Sequence, residues 1–290
     1  MAYSVMNRHS SLSRPAQRGF TLVELVMVIV IMGVIGGIVS VFMKSPIDAY
    51  IASGRRAALT DVADTVVRRM ARDIHSSLPN SIRTSGSSCI EFIPTKTGGR
   101  YRADEKTLGD DTSLDFSKAD GTFNMLGSNS ALPVAQQIGI NDLVVVYNLG
   151  IAGASAYDPV SSNNFTTVTS IGSETAGETT INIATKQFPL ASAGNRFQVV
   201  AATEQQVAYV CNGTNLYRSV ASAPSTSATC GHALSDPIIA SHVDCTQTTF
   251  SYSGSDLARN ALVSMVLSVL DSSGTEAVTL QHEVHVSNTP

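Results

Sequence analysis

Charge is scarce in this sequence. Asp, Glu, Lys and Arg make up 14% of its 290 residues, against about 25% in ordinary soluble domains. No dense run of Lys or Arg occurs. Three of the 19 bases, Arg8, Arg14 and Arg18, fall within the first 19 residues, which hold no acid, so the remainder carries 16 bases against 23 acids, a net of −7. A chain that acidic offers little electrostatic footing, and no nucleic-acid partner is expected. Catalytic signatures are missing as well. No nucleophile elbow, P-loop or dinucleotide fingerprint is present, so an enzyme reading has no residues to rest on and no cofactor is expected. The four cysteines show no Cys-x-x-Cys spacing, which disfavours zinc although His232 and His242 lie close by in the chain. His282 and His285 are three apart in a strand pattern, on opposite faces, and are not expected to share a metal.

Against this scarcity stands one long apolar run. From Phe20 to Met43 the only formal charge is Glu24. As a helix these 24 residues would extend roughly 36 Å at about 1.5 Å per residue, enough for a hydrocarbon core of about 30 Å. A secretory signal has a shorter apolar region and a small-residue cleavage site. Here Ser45-Pro46 follows the run, and no Ala-x-Ala-like site closes it. The bases lie before the span, which puts residues 1–19 in the cytoplasm and the rest across the membrane. An ordinary single-span anchor would satisfy hydropathy alone, but it leaves Glu24 unexplained.

The junction reads Gly19-Phe20-Thr21-Leu22-Val23-Glu24-Leu25. It resembles the N-terminal signature of the type IV pilin and type II secretion pseudopilin superfamily, a Gly followed by Phe-Thr-Leu-x-Glu-Leu and an apolar helix. The resemblance implies cleavage between Gly19 and Phe20 by a prepilin peptidase and N-methylation of the new Phe20 amine. It also implies that Glu24 of one subunit answers the Phe20 amine of a neighbour, because an isolated buried charge costs several kcal/mol. A Glu that merely favours a helix start is the competing reading. Gly33 and Gly37 form a small-xxx-small pair suited to close helix packing, with local unwinding as the alternative. Many pilins carry a proline at the twenty-second mature position. Here that residue is Val41, with Pro46 further on, so no kink is carried over, and the departure leans toward a minor subunit.

The remainder reads as an α+β domain. Leu59, Val62, Val66, Met70, Ile74 and Leu78 recur at helical spacing, so an amphipathic helix is expected from about Ile47 to Ser77. Asp64–Arg68 and Arg69–Asp73 are expected as ion pairs on its other side, with Arg55, Arg56, Arg68 and Arg69 solvated or near lipid headgroups. Beyond Pro79 strands are expected at 89–95, 142–149, 179–185, 196–201 and 248–254. A hairpin turns at Asn212-Gly213, and two C-terminal strands flank Asp271–Gly274. Val278, Leu280, His282, Val284 and Val286 share one strand face. Long loops at about 97–140 and 150–178 are candidate partner contacts. The acids Asp104, Glu105, Asp110, Asp111, Asp115 and Asp120 read as a solvated loop, with Ca²⁺ the weaker alternative because no EF-hand spacing occurs. The expected organisation is a leader at 1–19, a core helix at 20–43, its amphipathic continuation at 44–79 and a periplasmic β-rich domain at 80–290. An antiparallel sheet packed on the helix, the pilin-like architecture, is also what the resemblance implies.

Cys89, Cys211, Cys230 and Cys245 all lie beyond the span, where an oxidising compartment permits disulfides. Of the three pairings, proximity along the chain suggests Cys211–Cys230 with Cys89–Cys245. Within the superfamily, "VVRRMARDIHSSLPNSIR", "YVCNGTNLYR" and "VHVSNTP" are similar to minor pilins of the MSHA (mannose-sensitive haemagglutinin) pilus, and also to the larger minor pseudopilins. The partners implied are other minor and major pilins, the prepilin peptidase, the inner-membrane assembly platform, and membrane lipid before assembly. The expected location is the inner membrane, then the pilus, with initiation or a tip complex as the role. A secretion pseudopilin, a DNA-uptake pilin and an anchored receptor or adhesin remain open. Met1 and Met6 both offer starts.

Overall fold

The computed structural model describes residues 19–160, 163–254 and 259–290; the basic leader and its alternative starts lie outside them. The fold is α+β, a long N-terminal helix followed by antiparallel strands. Helix α1 covers Leu22–His75. The chain divides after Gly54 into two compact units.

In the second unit, the helix buries Ala63, Val66, Val67, Met70, Ala71 and Ile74. These follow the expected three-and-four spacing, but the stripe differs from the one read from large apolar residues. Val62 is 46% exposed and Ala63 fully buried. Small residues at 63 and 71 allow close approach to the sheet, a role that hydrophobicity alone does not flag. Leu78 lies past the helix end. There Leu78 N–H donates to the Ile93 carbonyl (2.7 Å) and Thr95 N–H to that of Ser76 (2.8 Å), so the chain is stitched to a strand where the helical ladder stops.

The strands in chain order are β1 (Arg83–Thr84), β2 (Cys89–Phe92), β3 (Thr97–Arg100), β4 (Asp120–Leu126), β5 (Leu143–Val146), β6 (Phe165–Thr175) and β7 (Glu178–Lys186). They continue as β8 (Arg196–Val200), β9 (Gln206–Asn212), β10 (Asn215–Ala221), β11 (Ile238–Ser241), β12 (Thr249–Ser253), β13 (Asn260–Leu270) and β14 (Ala277–Ser287). One sheet has the order β1-β2-β9-β10-β11 and a second β12-β13-β14. Their inner faces share a core with the helix, including Ile90, Phe92, Tyr209, Leu216, Met265 and Val284. On β14, Val284 and Val286 are buried as alternation requires, while His282, on the same face, is exposed.

The third sheet, β3-β8-β5-β6-β7-β4, comes round on itself. Tyr101 bridges to Met125, and Arg102 N–H donates to the Asn124 carbonyl at 2.9 Å, joining the first strand of the order to the last. Phe123, Val144, Val168, Ile181, Phe188 and Phe197 fill the interior. All of this barrel lies between β2 and β9, which pair directly, Phe92 opposite Val207. It is therefore an insertion between two adjacent strands of the first sheet. Leu143, Val145 and Val200, on the other face of β5 and β8, pack with Leu78, Ile93 and Tyr157. Burial on both faces explains the uninterrupted Leu-Val-Val-Val run.

The expected loops at 97–140 and 150–178 are thus corrected. They contain β3, β4, a single 3-10 turn at Val134–Gln136 and β6. Their Thr, Ser and Gly content hides strands whose pairing comes from the backbone. Gly99 of β3 is required by packing, because a Cβ there would stand 2.9 Å from the Phe197 ring.

The expected Arg69–Asp73 pair is corrected as well. Asp73 turns into the sheet and accepts from Tyr209 Oη (2.6 Å) and Arg218 Nε (2.9 Å). Burial, reinforced by this carboxylate, pushes the Tyr209 hydroxyl pKa up. Asp64–Arg68 forms as expected, at 2.6 Å. Arg55 and Arg56, though exposed, reach Glu276 beside the β13–β14 turn, Arg55 at 3.5 Å and Arg56 by a hydrogen bond.

Within the barrel, hydrogen bonds from Arg102 and then Asn124 hold the Glu178 carboxyl down to about 2, against about 4.3 unfolded. Its contribution is complete above the unfolded value and is lost as pH falls toward 2. Glu178→Gln should lower stability at pH 7 and flatten its fall between pH 4.3 and 2. Urea midpoints measured across that range, with an unchanged slope in the variant, would remove Glu178 from the acid response.

Candidate assembly site

Gly19 and Phe20 precede the helix, and both are exposed. Thr21 caps it. Glu24 N–H donates to Thr21 Oγ1 at 3.3 Å, and Leu25 N–H to the Thr21 carbonyl at 3.1 Å. Thr21-Leu22-Val23-Glu24 is the spacing of a capping box, in which a Thr side chain accepts from the amide three residues on. Glu24 thus stands in the first turn, where the helix dipole favours an anion. The Thr-x-x-Glu pattern is readable in the sequence, and the structure shows the Thr21 hydroxyl as its capping group.

Every residue from Gly19 to Tyr50 is exposed. The apolar window of the helix is long enough to cross a membrane, and none of it is buried among the described residues. Ser40 Oγ returns to the Gly36 carbonyl at 2.8 Å, so this hydroxyl needs no outside partner. Pro46 lies inside the helix. At Gly33, Gly36 and Gly37 an added Cβ would meet nothing within 4 Å. Among the described residues, no contact explains these glycines.

The four cysteines form Cys89–Cys230 and Cys211–Cys245, which corrects the expected pairing. The reason is strand geometry. Cys89 stands opposite Val210 in the β2–β9 register, and both gather with Ala208 and Cys230 in a small buried cluster. Cys211, one residue on, points to the other face. It joins the helix-packed core, where Cys245 packs. Proximity along the chain cannot bring Cys211 and Cys230 together through the sheet. Beneath Cys89–Cys230 lies the fully buried Glu91. It pairs with Arg83 and accepts from Gln206 Nε2 and the Cys230 amide, both at 3.1 Å. The Arg83 guanidinium lies 3.5 Å from the centre of the Tyr157 ring. This node ties the inserted barrel to the first sheet, and no periodicity in the sequence announced it.

The acid-rich loop spends its oxygens on its own backbone. Glu105 accepts from Gly109 N–H (2.6 Å), Asp110 from Thr107 N–H (2.9 Å), Asp115 from Ser117 N–H (2.7 Å) and Asp120 from Asp115 N–H (2.8 Å). Among the described residues, no three His, Cys, Asp or Glu side chains come together where they could hold a metal. His232 contacts Asn212 (2.9 Å) and the Tyr217 ring.

Residues 14–40 match a family model described as the prokaryotic N-terminal methylation motif. The match covers the leader–helix junction, Glu24 and both glycines of the Gly33/Gly37 pair. No curated protein and no solved structure matches the chain.

Proposed function

We propose that this chain is a minor subunit of a type IV pilin-like filament, made as a prepilin, cut between Gly19 and Phe20 and methylated on the Phe20 amine. One observation carries the reading: the methylation motif matched at 14–40 runs into helix α1, whose apolar segment is left uncovered by the described residues. Such a surface needs lipid or other helices around it. Held first in the inner membrane, Phe20–Met43 exchanges lipid for neighbouring helices when the subunit is extracted, with Gly33 and Gly37 admitting close approach. Glu24 then meets the neighbour's methylated amine. Its place in the capped first turn is compatible with that role, since one carboxylate can favour the helix start and attract a cation alongside. The disulfides suit a periplasmic C-terminal domain.

The MSHA-type assignment rests on the segment resemblances given above, and the tip or initiation role on the bulk that the inserted barrel adds. No residue set favours an enzyme, and the role is structural. The reading is tested by mass spectrometry of the mature N-terminus from the native cell. Methyl-Phe20 is the expected first residue. An uncut leader would instead identify an ordinary membrane-anchored receptor and overturn the filament reading.

A further inference from the structure

Asn163 lies two residues before the β6–β7 hairpin, and Lys186 ends it. The two side chains meet at the open end of that hairpin. Lys186 Nζ lies 2.6 Å from Asn163 Oδ1 and 3.1 Å from the Val160 carbonyl. Asn163 is 2% exposed, and its Nδ2 is buried without a hydrogen-bond partner among the described residues. A buried donor left unpaired carries the full cost of its desolvation. A lysine normally brings a carboxylate with it into such a place, yet none of the ion pairs among the described residues includes Lys186. Burial lowers the amine's pKa, which raises its neutral, nucleophilic fraction.

We propose that Lys186 and Asn163 join in an intramolecular isopeptide bond that closes the β6–β7 hairpin. The neutral Nζ adds to the Asn163 side-chain carbonyl carbon, forming a C–N bond. The Cγ–Nδ2 bond breaks, one proton passes from Nζ to Nδ2, and ammonia leaves. The product is a secondary amide, and no oxidant, metal or further reactant is consumed. The reaction removes the unpartnered Nδ2 as the leaving group. It also replaces a desolvated amine with a neutral amide that resists separation of the hairpin under load.

The test uses the full chain purified in detergent from its native membrane and does not depend on the filament reading. Intact mass should be lower than the sequence requires by one ammonia, after the cysteines and N-terminus are accounted for. Trypsin should fail to cut after Lys186 and leave residues 119–196 as a single peptide with the same deficit. Lys186→Arg and Asn163→Ala should each restore the full mass. An unmodified wild-type mass with normal cleavage after Lys186 would show an ordinary hydrogen bond and overturn the proposal.

Discussion

Glu24→Ala should reach the membrane at wild-type level and fall about 100-fold or more in sheared filaments. The two outcomes separate because, in the proposed filament, the residue acts in two settings. Thr21 still caps the helix in the variant, through its hydroxyl and the residue-24 amide. Alanine is a better helix former than glutamate, and the lost dipole contribution is only about 0.3–1 kcal/mol. Folding and insertion should therefore survive. In a filament core the neighbour's amine would lose its counter-charge, and breaking a buried pair costs about 3–5 kcal/mol, where each 1.4 kcal/mol is a factor of about ten. Glu24→Gln keeps the side chain's shape without its charge and should fail to the same degree. Wild-type amounts of either variant in filaments would leave Glu24 with the capping role alone.

Loss of the Cys89–Cys230 bridge should cost more than loss of Cys211–Cys245. The bridges span sequence separations of 141 and 34 residues. Chain-entropy reasoning gives about 5 kcal/mol for the first and about 4 kcal/mol for the second. The longer bridge also fastens β2, from which the barrel departs, to Cys230, whose amide holds the buried Glu91. Cys89→Ser with Cys230→Ser should therefore lower the urea midpoint by about 2 M, given a slope of about 1–3 kcal/mol per M. Cys211→Ser with Cys245→Ser should lower it by less. A reversed order would mean that the Glu91 node, not the covalent link, holds that side of the molecule together.

The sequence disclosed most where chemistry and periodicity coincide. The apolar span, the junction at Gly19-Phe20 and the strands at 143–146, 178–186 and 196–200 carry enough β-branched or apolar repetition to be read directly. The β9–β10 hairpin was equally clear, though its turn residues are Gly213 and Thr214, one place beyond the expected pair. Legibility failed where backbone pairing or small residues decide. In β3 the glycines look like a loop until Phe197 is seen against them. Ala63 and Ala71 carry helix packing that a search for large residues assigns to Val62. Asp73 could not be distinguished from a surface ion pair, because its partners Tyr209 and Arg218 are far off in the chain. The disulfide pairing turned on which strand face each cysteine occupies, a fact set by the β2–β9 register and hidden from spacing. At the helix start the structure adds the Thr21 hydroxyl, which caps the first turn.

The barrel leaves the first sheet after Phe92 and returns before Val207, two residues that face each other across a ladder, with Cα atoms only about 4.5–5.5 Å apart. Its two ends therefore form a doorway that any module with neighbouring termini could use. The paired strands on either side of that doorway do not depend on what lies behind it, so on the filament reading proposed above the cassette can be enlarged, exchanged or deleted and is free to diversify at a rate of its own.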